Sequence, residues 1–212
     1  MEKITFALPK GRLAEQTMGL LAKIGITCDE MNENSRKLLF VDNGQQYRFF
    51  LAKPSDVPTY VEYGAADIGV VGKDILLEQQ RSVADVAALD FSSGKFRIVV
   101  AGPLDALECY RNGGHVRVAT SFPNITQNYF HSNRRNVEII KLNGSVELGA
   151  LIGLADVVVD ITQTESTLRA NGLVVFDEVC EMTAARVIVN NAAMKLKSER
   201  ISEIVKQMVS AV

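Results

Sequence analysis

The densest chemistry in this 212-residue chain lies in DVVVDITQTESTLRANG, residues 156–172. Residues 157–161 are apolar and mostly β-branched except for Asp160, as a buried strand would be. Thr162, Thr164, Ser166 and Thr167 then place four hydroxyls within six residues, with Gln163 and Glu165 between them. TLRANG reads as a helical turn closed by Gly172. A helix start offers unpaired backbone N–H groups and a positive dipole end, and the hydroxyls add neutral donors, so a phosphate fits there. Asp160, at the carboxyl end of the strand, can accept hydrogen bonds from a ribose diol or hold a metal through water. The same hydroxyls serve equally well as ordinary helix caps.

Four further stretches carry candidate groups. In LPKGRL, residues 8–13, Lys10 and Arg12 flank Gly11, which permits a tight turn and a close backbone approach. Two cations there suit a pyrophosphate or triphosphate, or are a solvated helix start that opposes the helix dipole. In KPSDVPTYVEYGAADIGVVGKD, residues 53–74, Pro54, Pro58, Gly64, Gly69 and Gly72 frame a short helix and a strand. Lys53, Asp56, Asp67, Lys73 and Asp74 stand at its ends as candidates to line a cleft, while Asp67 and Asp74 equally read as helix caps. NGSVELG places Glu147 one turn into a helix, where a carboxylate also simply offsets the dipole. RVATSFPN sets Thr120 and Ser121 at a strand end as a second phosphate cup. No Ser–His–Asp or Cys–His arrangement is readable, so the chemistry needs only positioning and charge stabilisation.

Short β-branched runs alternate with amphipathic stretches, the mark of parallel α/β structure. Strands are predicted over residues 3–7, 37–41, 47–52, 68–71, 96–101, 117–119, 138–141, 157–161, 173–176 and 185–190. Helices are predicted over 12–23, 57–63, 73–78, 123–132, 145–153, 167–171 and 198–212, the last opening on Ser198 as N-cap. SSGK at 92–95 and DEVCEMTAA at 177–185 read as joints. If both are crossovers, residues 1–92 plus 180–212 form lobe I and residues 93–179 an inserted lobe II. That gives two α/β lobes around a central cleft, suited to a ligand that must be enclosed.

A net charge of −2 argues against a nucleic-acid surface, which usually carries a basic excess. Three cysteines without CxxC spacing and two histidines make a zinc site or a disulfide framework improbable, and three buried thiols are expected. The N-terminus lacks the apolar core of a signal peptide, and no run is long enough for a membrane span, so a cytoplasmic protein is expected.

In this order, LPKGRL, DVPTYVEYGAADIGVVGKD, VATSFPN, LNGSVELG and GLADVVVDITQTESTLRANGL resemble the blocks of the ATP phosphoribosyltransferase catalytic subunit. The resemblance covers nearly the whole chain. It implies a fold like the type II periplasmic binding proteins, and transfer of the phosphoribosyl group of phosphoribosyl pyrophosphate to N1 of ATP. It implies a requirement for Mg²⁺, held mainly by substrate phosphates rather than by a protein metal site. The catalytic positions it points to are Glu147, near the ribose or its metal, Asp160, near the ribose hydroxyls, and Lys10, Arg36 and Lys53, which would neutralise phosphates. Substrate binding falls to Gly11, Arg12, Asp67, Gly72, Asp74, Thr120 and Ser121, with Thr162, Gln163, Thr164, Glu165, Ser166 and Thr167 at the ribose 5-phosphate. The chain ends after the terminal helix, like the short form of the family, which works with a regulatory subunit related to histidyl-tRNA synthetase.

Two departures stand out. The family usually has glycine where this chain has Glu165, so the Glu165 side chain is expected to point outward while its N–H faces the phosphate. After Glu147 the family often has Ala-Pro, and here Gly149 and Ala150 stand nearby. A non-catalytic solute-binding protein, a regulatory effector-binding domain and a different phosphoribosyltransferase are the rival readings.

Overall fold

Six consecutive residues, Ile4–Pro9, form strand β1, and every one is buried. Only a strand covered on both faces tolerates such a run, and the structure, a computed structural model, covers it so. It describes residues 3–31, 35, 37–91, 96–182 and 184–212. The chain divides into two compact units, residues 1–93 with 184–212, and residues 94–183.

The first unit holds β1, β2 (Phe40–Val41), β3 (Tyr47–Ala52), β4 (Ile68–Gly72), β5 (Ala84–Leu89) and β11 (Ala185–Val189), in the order β2-β3-β1-β4-β11-β5. β1, β3 and β4 run parallel, and β11 lies antiparallel between β4 and β5. Side chains alternate between the two faces of the sheet. Ile4, Phe6 and Leu8 meet residues of α1 (Arg12–Lys23), α8 (Asn191–Leu196) and α9 (Ser198–Ser210). Ala7, Val71 and Ile188 meet Val57 and Val61 of α2 (Val57–Glu62), and α3 (Lys73–Gln79) follows β4. On α9, Ile201, Ile204 and Met208 are buried, each contributing about 1.5–3 kcal/mol of hydrophobic stabilisation.

The second unit holds β6 (Phe96–Pro103), β7 (Val116–Thr120), β8 (Val137–Lys141), β9 (Val157–Thr162) and β10 (Leu173–Met182), in the order β10-β6-β9-β7-β8. β7, β8 and β9 are parallel, and β6 is antiparallel to both β9 and β10. One face packs Ile98, Val100, Val118, Val157 and Val159 against residues of α4 (Leu107–Arg111) and α5 (Pro123–Ser132). The other packs Val99, Ala101, Ala119 and Val158 against α6 (Glu147–Leu151) and α7 (Ser166–Ala170).

Several expectations are corrected. The joint expected within 177–185 falls late in that segment: the second unit ends at residue 183, and β10 pairs with β6 as far as Met182↔Phe96, so residues 180–182 stay with the second unit rather than lobe I. Register shifts between Val175 and Asp177 and between Glu178 and Cys180 interrupt its alternation, which hid the strand. The joint expected at 92–95 lies outside the described residues. β5, α4 and α8 were not foreseen. α9 begins on Lys197 as N-cap with no side-chain cap, and Ser198 is its first helical residue. Of the thiols only Cys28 is buried, since Cys109 is exposed on α4 and Cys180 is half-buried. Among the described residues, no helix is long and apolar enough to cross a membrane.

Candidate active site

In parallel sheets, ligand sites gather at the carboxyl ends of the strands. In the second unit those ends belong to β7, β8 and β9. Alternation along β9 sends Val157 and Val159 to the α4–α5 face and Val158 to the α6–α7 face. Asp160 therefore shares the α6–α7 face. There it lines a cavity of about 390 Å³ with Ser145, Glu147, Ile161, Thr162, Gln163, Thr164, Ser166, Thr167 and Leu168. The last residue of β9, the loop after it and the first two residues of α7 supply the hydroxyls, and the first residue of α6 is Glu147. Thr164 and Ser166 share a hydroxyl hydrogen bond of 3.0 Å, and the Glu165 N–H donates to the Thr162 hydroxyl at 3.0 Å.

Burial raises the Asp160 carboxyl above its ordinary value, and the Glu147 charge pushes it the same way. The Ile161 N–H, donated to its Oδ1 at 2.8 Å, works against both. Two carboxylates thus share one cavity, with no cation among the described residues that line it. Ser145 lines it too and was not among the residues expected from sequence.

The first unit presents its own group of expected residues at its own carboxyl edge. Pro9 lies opposite Ala52, and the Lys10 N–H donates to the Ala52 carbonyl at 2.9 Å, so Lys10 and Lys53 leave neighbouring strands side by side. Gly11, at φ 95°, makes the turn into α1, and Lys10, Gly11, Arg12 and Lys53 are all exposed. Gly72 ends β4, and a Cβ placed on it would collide with the Asp74 carboxylate. Glycine at 72 therefore leaves Asp74 room to fold back over the turn. Burial raises the Asp74 carboxyl, against the pull of its own N–H and that of Ile75. Arg36 lies outside the described residues.

Asp67 and Thr120 have structural work. Asp67 precedes β4, at the opposite edge of the sheet from Lys10 and Lys53. One of its oxygens accepts the Thr5 N–H at 2.8 Å and the other faces the Lys197 ammonium at 3.0 Å. Thr120 belongs to the α4–α5 face, because it alternates with Val118, and it is fully buried. Its hydroxyl donates to the Val159 carbonyl at 2.8 Å, accepts the Phe122 N–H at 2.9 Å and meets the Thr126 hydroxyl at 3.3 Å. It organises the entry to α5, with its side chain on the face opposite Asp160; Ser121, beside it, is half-buried. Thr120→Val orphans the Phe122 N–H and is expected to lower the stability of the second unit by about 1–3 kcal/mol in a urea melt, whereas Thr120→Ser keeps most of it. Weaker substrate binding with unchanged stability would instead return Thr120 to the ligand.

Glu165 neither points outward nor enters the cavity. Its side chain is only 16% exposed and is held by Arg97 of β6 and Arg169 of α7. Both arginines escaped the sequence reading. The Arg169 contact is a four-residue helical spacing that was visible in principle, whereas Arg97 stands 68 residues away.

A family model described as "HisG: ATP phosphoribosyltransferase" matches residues 53–210. The ATP phosphoribosyltransferase of Lachnoclostridium phytofermentans is 52% identical over 210 residues, covering 98% of this chain and 96% of that protein. The chain belongs to the ATP phosphoribosyltransferase family. The family enzyme of a Thermoanaerobacter species is 49% identical, covering 100% of this chain and 97% of its own. A solved structure titled as the ATP phosphoribosyl transferase (HisG:HisZ) complex from Thermotoga maritima superposes with a TM-score of 0.82 at 36% identity, covering 98% of each chain. The fold is accordingly the type II periplasmic-binding-protein-like one, with an α/β sheet in each unit.

Proposed function

We propose that this chain transfers the phosphoribosyl group of phosphoribosyl pyrophosphate to N1 of ATP, giving phosphoribosyl-ATP and pyrophosphate, the first step of histidine biosynthesis. The observation that carries this reading is the cavity at the end of β9, where a hydroxyl-rich loop adjoins two carboxylates in a chain of this family. Thr162, Thr164, Ser166 and Thr167 donate to the 5-phosphate, while Asp160 accepts from the ribose hydroxyls. In the reaction the bond from ribose C1 to the pyrophosphate oxygen breaks, and its electron pair leaves with pyrophosphate. The adenine N1 lone pair forms the new C1–N1 bond. Positive charge builds at C1 in the transition state, and a fixed carboxylate nearby stabilises it. N1 carries a free lone pair, so attack needs no base.

A polyanionic substrate beside Glu147 and Asp160 needs countercharge. Among the described residues no cluster of three or more metal-ligating side chains exists. Glu147 and Asp160, which share the cavity, would touch a Mg²⁺ arriving with the substrate, and the substrate phosphates would hold most of it. Mg²⁺ supplies charge neutralisation to the departing pyrophosphate. In the first unit, Lys10, Lys53 and Arg36 neutralise pyrophosphate or the phosphates of ATP, and Gly11, Arg12, Gly72 and Asp74 contribute to binding there. The Thermotoga relative was solved as a complex of two components, which supports a histidyl-tRNA-synthetase-like regulatory subunit as this chain's partner. A cytoplasmic location goes with this reading.

The test is to mix the chain with ATP, phosphoribosyl pyrophosphate and Mg²⁺, with and without that partner, and follow the near-ultraviolet absorbance of the adduct. Adduct formation is expected with the partner present. Its absence there would end this reading.

A further inference from the structure

Glu165 combines a backbone position that suits glycine with a charge that opposes the ligand beside it. Its φ of 59° lies in the left-handed region, which side chains with a Cβ seldom occupy. Its neighbours Thr164 and Ser166 both line the cavity, and Glu165 does not. The carboxylate is gripped from behind instead. Arg97, at the start of β6, bonds one oxygen, and Arg169, one turn along α7, bonds the other at 3.1 Å. The remaining terminal nitrogen of Arg97 reaches Glu178 of β10 at 3.2 Å. Arg169 is 74% exposed and Arg97 only 35%, so Arg97 is the more ordered of the two anchors.

We infer that Arg97 is a positioning residue for the phosphate loop, holding the Glu165 carboxylate out of the cavity in which the 5-phosphate is bound. The inference rests on the reading of that cavity given above. Its geometry follows from the sheet: Arg97 lies opposite Thr162 across the β6–β9 ladder, so its guanidinium starts beside the loop that it restrains. A carboxylate released on this loop would stand next to a phosphate in a half-buried setting, where like charges are screened less than in water. Arg97 makes no contact with the ligand in this scheme. It acts through Glu165 alone.

The experiment is a cycle of Arg97→Gln, Glu165→Gly and the double variant. Binding of phosphoribosyl pyrophosphate with Mg²⁺ is measured by calorimetry, and KM and kcat by turnover with the partner subunit. Arg97→Gln is expected to weaken phosphoribosyl pyrophosphate about tenfold and to change kcat and the KM for ATP by less than about twofold, as a misplaced charge at one subsite does. Glu165→Gly removes both the charge and the backbone strain, and is expected to bind more tightly than the parent. In that background Arg97→Gln should lose most of its effect, which a general defect in folding or packing would not do. Persistence of the tenfold loss in the double variant, no loss in Arg97→Gln, or weaker binding in Glu165→Gly would each overturn the inference. The Glu165→Gly arm decides alone if Arg97→Gln does not fold. Failure of the parent to bind phosphoribosyl pyrophosphate at all would strike the cavity reading and not the Arg97–Glu165 pairing, which the melting temperatures of the same variants report.

Discussion

Replacing Asp160 with asparagine is expected to lower turnover by about two to three orders of magnitude, the usual loss when one fixed electrostatic contact to a transition state is removed. The two side chains have nearly the same shape, and asparagine keeps an oxygen to accept the Ile161 N–H, so the effect isolates the charge. The same substitution should stabilise the fold. Burial, and next to it the Glu147 charge, raise the Asp160 carboxyl above its unfolded value. Below the ordinary carboxylate value both states hold the proton and Asp160 costs nothing. As pH rises the unfolded chain releases its proton first, so stability falls until the folded value is passed, and the full cost remains above it. Asparagine never ionises and escapes that cost, so its advantage grows with pH across this window. The acid limb of the kcat/KM profile should likewise sit above the ordinary carboxylate range and vanish in Asp160→Asn. Steady-state kinetics and calorimetric melts across pH check both halves. Turnover within tenfold of the parent would remove Asp160 from the reaction.

The sequence carried the second unit's site further than the first's, for a physical reason. The residues of the β9–α7 loop are contiguous, and a buried strand followed by clustered hydroxyls is a local signal that needs no knowledge of the fold. Tyr47–Ala52, Arg12–Lys23 and Pro123–Ser132 were equally plain, since their periodicity is strong and their neighbours are turn residues. β5 was missed because ADVAAL is rich in alanine and half-exposed at a sheet edge, where neither branching nor alternation marks it. α8 was missed because its cap, Asn190, looked like the end of a strand. Its side chain accepts the Ala192 and Ala193 N–H groups, a pairing visible only once the chain turns. Thr120 and Arg97 share a deeper obstacle: which sheet face a side chain takes, and which strand lies beside it, are properties of the register. Thr120 stands at the carboxyl end of β7 and Asp160 near that of β9, yet the pleat sends Thr120 to the other side.

Asp67→Ala is expected to destabilise the first unit by about 3–5 kcal/mol, the usual cost of breaking a largely buried ion pair from one side. The pair is shielded, with Asp67 13% and Lys197 18% exposed. Asp67 also joins three distant parts of the chain. Its side chain takes the Thr5 N–H of β1 and the Lys197 ammonium at the entry to α9, and its carbonyl takes the Asn190 N–H at the end of β11. These contacts tie the first 93 residues to the C-terminal segment from residue 184, which must fold together although a whole unit intervenes. Asp67→Asn keeps an acceptor for Thr5 and loses the charge, so it should fall between the parent and Asp67→Ala. Native-state hydrogen exchange separates the units: the amides of Thr5, Ile68 and Asn190 should lose protection while those of Val118 and Val158 in the second unit keep theirs. If Asp67→Ala instead melted with the parent and bound ATP less tightly, the aspartate would belong to the substrate and not to the seam.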